Sequence, residues 1–92
     1  HDVSRNEAAL MAATQRPVTN AALDEPSGEP AWKTIPSWFI YGSGDKNIPP
    51  ASMKFMADRA GSKQTVVIPD ASHVVMVSHP KAVADLIKKA AK

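Results

Sequence analysis

Two apolar runs separated by a helical pattern constrain the fold of this chain more than any other feature. The first run, at residues 38–41, leads through a glycine-rich loop to Asp45, and the second, at residues 65–68, is followed by His73. Each run is typical of a buried strand, and residues 51–60 between them carry apolar side chains at helical spacing. A strand–helix–strand unit of this length favours parallel strands joined by a right-handed crossover.

Parallel pairing predicts that Asp45 and His73 lie at the same edge of the sheet. Both residues follow the carboxyl end of a strand, which is the edge where open α/β sheets usually place their chemistry. An acid and a histidine on neighbouring loops are two of the three groups of a catalytic triad. The third group, a serine in a suitable glycine frame, is not found in this sequence.

Each of these two residues also has a structural interpretation. Asp45 fits an Asx-turn in its glycine-rich loop, and His73 fits a histidine on a surface loop. Asp70 is a rival acid three residues before His73, although it is better explained as a residue that shapes its own loop. His79 precedes Pro80 and is interpreted as a residue at the start of the last helix.

Composition excludes several classes of protein. The chain has 92 residues, of which 43% are hydrophobic and 22% charged, as expected for one small globular domain or a piece of a larger one. A net charge of +2 is too small to indicate nucleic-acid or membrane binding, and no apolar stretch approaches the ~20 residues of a membrane span. The chain has no cysteine and no signal-peptide pattern, which is compatible with the cytoplasm, and its three histidines are not clustered as metal ligands.

A stretch rich in proline, glycine and serine at residues 25–30 marks the main internal boundary. It separates an alanine-rich helical segment with its linker, residues 1–30, from an α/β segment, residues 31–92. Further helices are predicted at residues 7–15, 18–23 and 80–92, the first with a capping box formed by Ser4 and Glu7. Gly61 is expected to end the helix at 51–60.

The large apolar side chains are assigned to the core. The run at residues 38–41 does not alternate, which predicts a strand that is covered on both faces. Met53, Met56 and Met76 are interpreted as core filling rather than as a binding surface. The two tryptophans, Trp32 and Trp38, are likewise assigned to packing, and lining of an acyl pocket is the alternative for both.

Residues 35–49, Ile-Pro-Ser-Trp-Phe-Ile-Tyr-Gly-Ser-Gly-Asp-Lys-Asn-Ile-Pro, and the later Ala-Ser-His-Val at 71–74 carry a family resemblance. They resemble the last third of an α/β-hydrolase, in particular bacterial esterases and cofactor-free chloroperoxidases. The resemblance covers nearly the whole chain, and residues 1–30 are similar to the end of a lid region. It implies that Asp45 is the triad acid and His73 the triad base, in the chain order of that fold. It also implies hydrolysis of a small ester-like substrate without a metal or organic cofactor.

The chain departs from the family pattern at the nucleophile. No Gly-x-Ser-x-Gly elbow precedes Asp45, and the Gly-Ser-Gly at residues 42–44 is too short and lies on the wrong strand. We therefore interpret the chain as the C-terminal portion of a hydrolase, inactive alone, whose partner is the missing N-terminal part. The alternative is a non-enzymatic α/β module that self-associates or docks onto a partner, because two parallel strands leave unpaired edges.

Overall fold

The computed structural model describes residues 1–92 and contains five helices, one 3-10 turn and two strands. In chain order they are α1 (Arg5–Ala13), α2 (Asn20–Asp24), the 3-10 turn (Ala31–Lys33), β1 (Trp38–Gly42), α3 (Pro50–Arg59), β2 (Gln64–Ile68), α4 (Val75–Ser78) and α5 (Pro80–Ala90). None of the helices is long and apolar enough to cross a membrane.

The two strands pair in parallel, as the sequence predicts. The register runs from Trp38 opposite Gln64 to Gly42 opposite Ile68, and α3 connects the end of β1 to the start of β2. Helices α3, α4 and α5 all contact β1. Because the strands are parallel, the loops that follow Gly42 and Ile68 leave the sheet at the same edge.

Local capping sets the ends of the predicted helices. Ser4 accepts a hydrogen bond from the backbone N–H of Glu7 at 3.2 Å, which confirms Ser4 as the N-cap of α1. The helix starts at Arg5, two residues before the predicted helical run at 7–15. Thr19 accepts from the N–H of Ala22 at 3.3 Å, which starts α2 two residues later than predicted. Gly61 has a φ of 60°, the left-handed conformation expected of the residue that ends α3.

One helix, α4, has no counterpart in the sequence pattern. Its four residues read Val-Met-Val-Ser, a composition more typical of a strand than of a helix. Val75 at its start is only 4% exposed, so packing of this side chain stabilises the turn where local propensity does not. His79 lies between α4 and α5 as the N-cap residue of α5, in agreement with its predicted position.

The chain exposes much of its apolar surface. Only seven residues are buried, and the hydrophobic ones among them are Tyr41, Ala57, Ala71, Val75 and Leu86. The prediction that residues 38–41 are covered on both faces is wrong for this chain, since only Tyr41 of the four is buried. Met56 and Met76 are 41% and 55% exposed, so their assignment to the core is also wrong. A two-stranded sheet with short helices provides too few layers to cover these side chains.

The loop after β2 crosses directly over the end of β1. The backbone N–H of Gly44 donates to the carbonyl of Ala71 at 3.1 Å. A Cβ atom at Gly42 would overlap the carbonyl group of Ala71, and one at Gly44 would lie 2.7 Å from the carbonyl oxygen of Asp70. Glycine is therefore required at both positions because the two backbones touch there.

We expect the substitution Gly42→Ala to lower the free energy of unfolding by about 3 kcal/mol or more, because the added methyl group must displace backbone rather than a flexible side chain. Gly28→Ala is the matched control, since nothing lies within 4 Å of a Cβ atom at Gly28. Urea denaturation of both variants at one protein concentration measures the difference. Equal midpoints for the two variants would contradict the proposed close approach.

Candidate acid–base site

Asp45 lies in the loop after β1 with its side chain 1% exposed. One carboxylate oxygen, Oδ1, accepts hydrogen bonds from the backbone N–H groups of Asn47 at 2.8 Å and Ile48 at 2.9 Å. These bonds form the Asx-turn that the glycine-rich loop suggests, and they hold the carboxylate in one orientation. The second oxygen, Oδ2, is left free to contact a side chain from another loop.

That contact is made by His73, which comes from the loop between β2 and α4. The Nδ1 atom of His73 donates to Oδ2 of Asp45 at 2.7 Å, which confirms the predicted approach of the two residues. The imidazole is 40% exposed, and its Nε2 atom has no hydrogen-bond partner in the chain. The ring is thus held at Nδ1 and open at Nε2.

The electrostatics of the site favour an ionised Asp45. Burial of the carboxylate disfavours its charge and raises the pKa, but the hydrogen bonds from His73 and from the N–H groups of Ile48 and Asn47 act in the opposite direction. Their combined effect is greater, so the pKa of Asp45 is lowered from its ordinary value. An ionised Asp45 accepts a hydrogen bond from Nδ1–H of His73 and thereby fixes the tautomer in which Nε2 carries the lone pair.

Asp70, the rival acid, and His79, another histidine considered, both lie outside the Asp45–His73 contact. Asp70 adopts a φ of 54°, and its backbone N–H donates to Oγ of Ser43 at 2.9 Å, so it shapes its own loop as predicted. His79 contacts Ser78, with 2.9 Å between Nδ1 and Oγ. Neither residue forms a hydrogen bond with the Asp45–His73 pair.

The largest grooves lie away from this pair. Two surface grooves of about 220 Å³ each have Trp32 in their lining; the second also includes Phe39, Met56 and Arg59. The guanidinium of Arg59 lies 5.1 Å from the centre of the Trp32 ring, a cation–π arrangement. Neither Asp45 nor His73 lines either groove, so the groove beside Trp32 is separate from the acid–base pair.

One residue near the site has no signal in the sequence. Oδ2 of Asp2 accepts a hydrogen bond from the backbone N–H of Ser72 at 2.8 Å, directly beside His73. The two partners are 70 positions apart, and no motif or periodicity connects them. Only the folded arrangement of the chain brings Asp2 to this loop.

Comparison with known families gives one match. A family model described as the alpha/beta hydrolase family matches residues 1–86, which is nearly the whole chain. Comparisons with curated proteins and with solved structures gave no match.

The lowered pKa of Asp45 predicts a specific loss of stability in acid. A group whose pKa is lower in the folded state stabilises that state above its unfolded pKa of about 3.9 and loses this contribution as the pH falls through the folded value. The free energy of unfolding should therefore decrease from pH ~5 towards pH ~2.5. In Asp45→Asn this decrease should be smaller, because the substituted side chain does not titrate.

Urea unfolding at a series of pH values measures this dependence. Asp24→Asn is the matched control, because Asp24 is an exposed acid on α2 whose side chain forms no hydrogen bond. It should retain the dependence of the unchanged chain. An Asp45→Asn variant that loses stability in acid as steeply as the control would contradict the assigned pKa shift.

Proposed function

We propose that this chain, which belongs to the alpha/beta hydrolase family, supplies the acid and the base of a serine-type esterase site. In this proposal Asp45 is the acid, His73 is the base, and the substrate is a small carboxylic ester. The observation that carries the proposal is the 2.7 Å bond from Nδ1 of His73 to the buried Asp45, which leaves an exposed imidazole with a free Nε2. That arrangement is what a general base needs to reach a nucleophile.

The proposed reaction is acyl transfer in two steps. Nε2 of His73 removes the proton from a serine hydroxyl while the serine oxygen attacks the ester carbonyl. The same proton then passes to the departing alcohol, which leaves an acyl-serine. In the second step water attacks the acyl group while His73 takes a proton from that water. His73 then gives this proton to the serine oxygen as the acyl–serine bond breaks, which releases the carboxylic acid and the free serine hydroxyl. Asp45 stays ionised throughout and stabilises the imidazolium that forms in each step.

The serine is proposed to lie on polypeptide outside these 92 residues. The sequence contains no Gly-x-Ser-x-Gly elbow, and the serines on the two loops that carry the pair, Ser43 and Ser72, have other contacts. Ser43 accepts from the N–H of Asp70 at 2.9 Å, and Ser72 accepts from the N–H of Val74 at 3.3 Å. Residues 31–92 would then be the C-terminal α/β part of a hydrolase domain.

Residues 1–30 are proposed to be the end of a lid region. Helices α1 and α2 contain no buried residue, and Leu10 and Leu23 are 64% and 74% exposed. Short helices with so little internal packing gain stability mainly from contact with other elements. A position over an active site would supply such contact.

The proposal predicts the behaviour of a complex between this chain and a hydrolase segment that carries a Gly-x-Ser-x-Gly elbow. In the complex, His73→Ala should remove nearly all hydrolysis of a p-nitrophenyl ester, and Asp45→Asn should reduce kcat by about 10³-fold or more. A fluorophosphonate probe should label the serine of the added segment and not this chain.

His79→Ala is the matched control, since His79 does not contact the pair. It should retain hydrolysis when the rate is normalised to folded protein. Full activity in both His73→Ala and Asp45→Asn would show that the base and acid are elsewhere. Probe labelling of this chain would contradict the assignment of the nucleophile to another segment.

A second candidate function is that of an association module, and it is favoured by the exposed apolar surface. Each of the two strands has one unpaired edge. Several large side chains beside or near the sheet are exposed, among them Ile35 at 60%, Phe55 at 62% and Val67 at 45%. Covering such residues would stabilise an assembly by roughly 1.5–3 kcal/mol for each large side chain fully buried. This candidate needs no catalytic role for Asp45 or His73.

Both candidates predict that the isolated chain is not a simple monomer. Size-exclusion chromatography with light scattering should give a mass of at least twice 9.8 kDa, with the fraction of assembly rising with concentration. Val67→Lys should shift the equilibrium towards monomer, because it places a charge on the exposed face of β2. Lys46→Ala, at an exposed loop position, is the control. A stable 9.8 kDa species at all concentrations would exclude self-association.

A further inference from the structure

The segment that contains His1 and Asp2 packs against the loop that carries His73. The backbone N–H of Ser72 donates to Oδ2 of Asp2 at 2.8 Å, and Nε2 of His1 donates to the backbone carbonyl of Asp70 at 2.6 Å. Two side chains from one end of the sequence therefore bind the backbone of a loop that follows β2. Since Ser72 immediately precedes His73, the Asp2 contact fixes the peptide from which the base projects.

Asp2 is partly buried, and one of its carboxylate oxygens is closed off from solvent. Its second oxygen, Oδ1, is buried and has no hydrogen-bond partner. Hydrogen bonds from the side chain and the backbone N–H of Ser72 lower the pKa of Asp2 well below its usual range. The carboxylate is thus ionised at neutral pH, and its bond to the Ser72 N–H is a charge-assisted one, which is stronger than a bond between neutral groups.

The other contacts of this loop hold a different part of it. Ala71 accepts from the N–H of Gly44 at 3.1 Å, and Asp70 donates to Ser43 at 2.9 Å, so the loop is tied to the β1 side up to residue 71. The N–H of Ser72 has Asp2 as its hydrogen-bond partner. On the other side of His73, the N–H of Val74 donates to Oγ of Ser72 at 3.3 Å, so Asp2 is the contact that ties the Ser72 peptide to a distant part of the chain.

We propose that Asp2 is a positioning residue that keeps His73 on Asp45 by fixing the Ser72 peptide. The catalytic meaning of this role rests on the proposed function, in which His73 is the base. The geometric role does not, because it concerns only the bond between Nδ1 and Oδ2. Asp2 contacts neither the substrate nor a reacting atom in this proposal.

The test is the exchange of the hydrogen-bonded Nδ1 proton of His73, followed by NMR on the isotope-labelled 92-residue chain. A proton between an imidazole and a carboxylate gives a distinct low-field resonance, and its exchange with water reports how often the bond opens. In Asp2→Ala this exchange should be at least about tenfold faster, because a charge-assisted hydrogen bond to the loop is lost. Asp2→Asn keeps an acceptor oxygen and should stay within about threefold of the unchanged chain.

Asp24→Ala, an exposed acid on α2, controls for general loss of charge and should leave the exchange rate unchanged. Equal exchange in Asp2→Ala and the unchanged chain would overturn the proposal, as would equal acceleration in Asp2→Ala and Asp24→Ala. If Asp2→Ala does not fold, amide exchange in the unchanged chain decides. The Ser72 N–H should be as protected as the Nδ1 proton, and free exchange of Ser72 beside a protected His73 would overturn the role of Asp2.

The same spectra separate this inference from the proposed function. Absence of the low-field resonance from the unchanged chain would overturn the Asp45–His73 pair itself, and with it both proposals. A resonance that is present and insensitive to Asp2 would overturn only the positioning role. A resonance that is sensitive to Asp2, together with an active His73→Ala complex, would leave the positioning role intact and remove the catalytic one.

Discussion

The site depends on the contact between the backbone after β2 and the glycines at the end of β1. Ala71 and Asp70 lie against Gly42 and Gly44 at distances that no side chain would permit. This approach places the loop after β2 directly above the loop that contains Asp45. Parallel pairing alone would bring the two loops to one edge, but it would not bring an imidazole to 2.7 Å from a carboxylate. The glycines allow the two loops to approach closely enough for His73 to form a hydrogen bond with Asp45.

The two interpretations of Asp45 that the sequence allows are compatible in the structure. Oδ1 accepts hydrogen bonds from two backbone N–H groups, which form the turn. Oδ2 accepts a hydrogen bond from Nδ1 of the His73 imidazole. The turn supplies the hydrogen bonds that offset the cost of burying a carboxylate. His73 therefore meets an acceptor that is already oriented, so little ordering is needed when the contact forms.

Local patterns in the sequence predicted the structural features that depend on neighbouring residues. The two strands, the helix between them and the glycine at the end of α3 follow from apolar spacing and turn chemistry, and all are confirmed. The shared edge of Asp45 and His73 followed from the parallel arrangement, and their direct contact was expected from the family resemblance. Helix α4 and the contact of Asp2 with Ser72 could not be predicted, because each depends on packing between distant parts of the chain. The burial of Met56 and Met76 was wrongly predicted for a related reason, since burial depends on neighbouring layers and not on the residue alone.

The register of the two strands limits which length changes this chain can accept. Strand side chains repeat every two residues, so a two-residue slip of β2 along β1 keeps the same side chains on each face. That slip would nevertheless move the loop after Ile68 by about 6.6 Å relative to the loop after Gly42. An insertion of two residues that causes this slip would preserve the hydrophobic pattern of the strand. It would break the hydrogen bond between Asp45 and His73. Insertions in or beside the strands are therefore constrained by the acid–base pair, and those in the linker at residues 25–30 are free of that constraint.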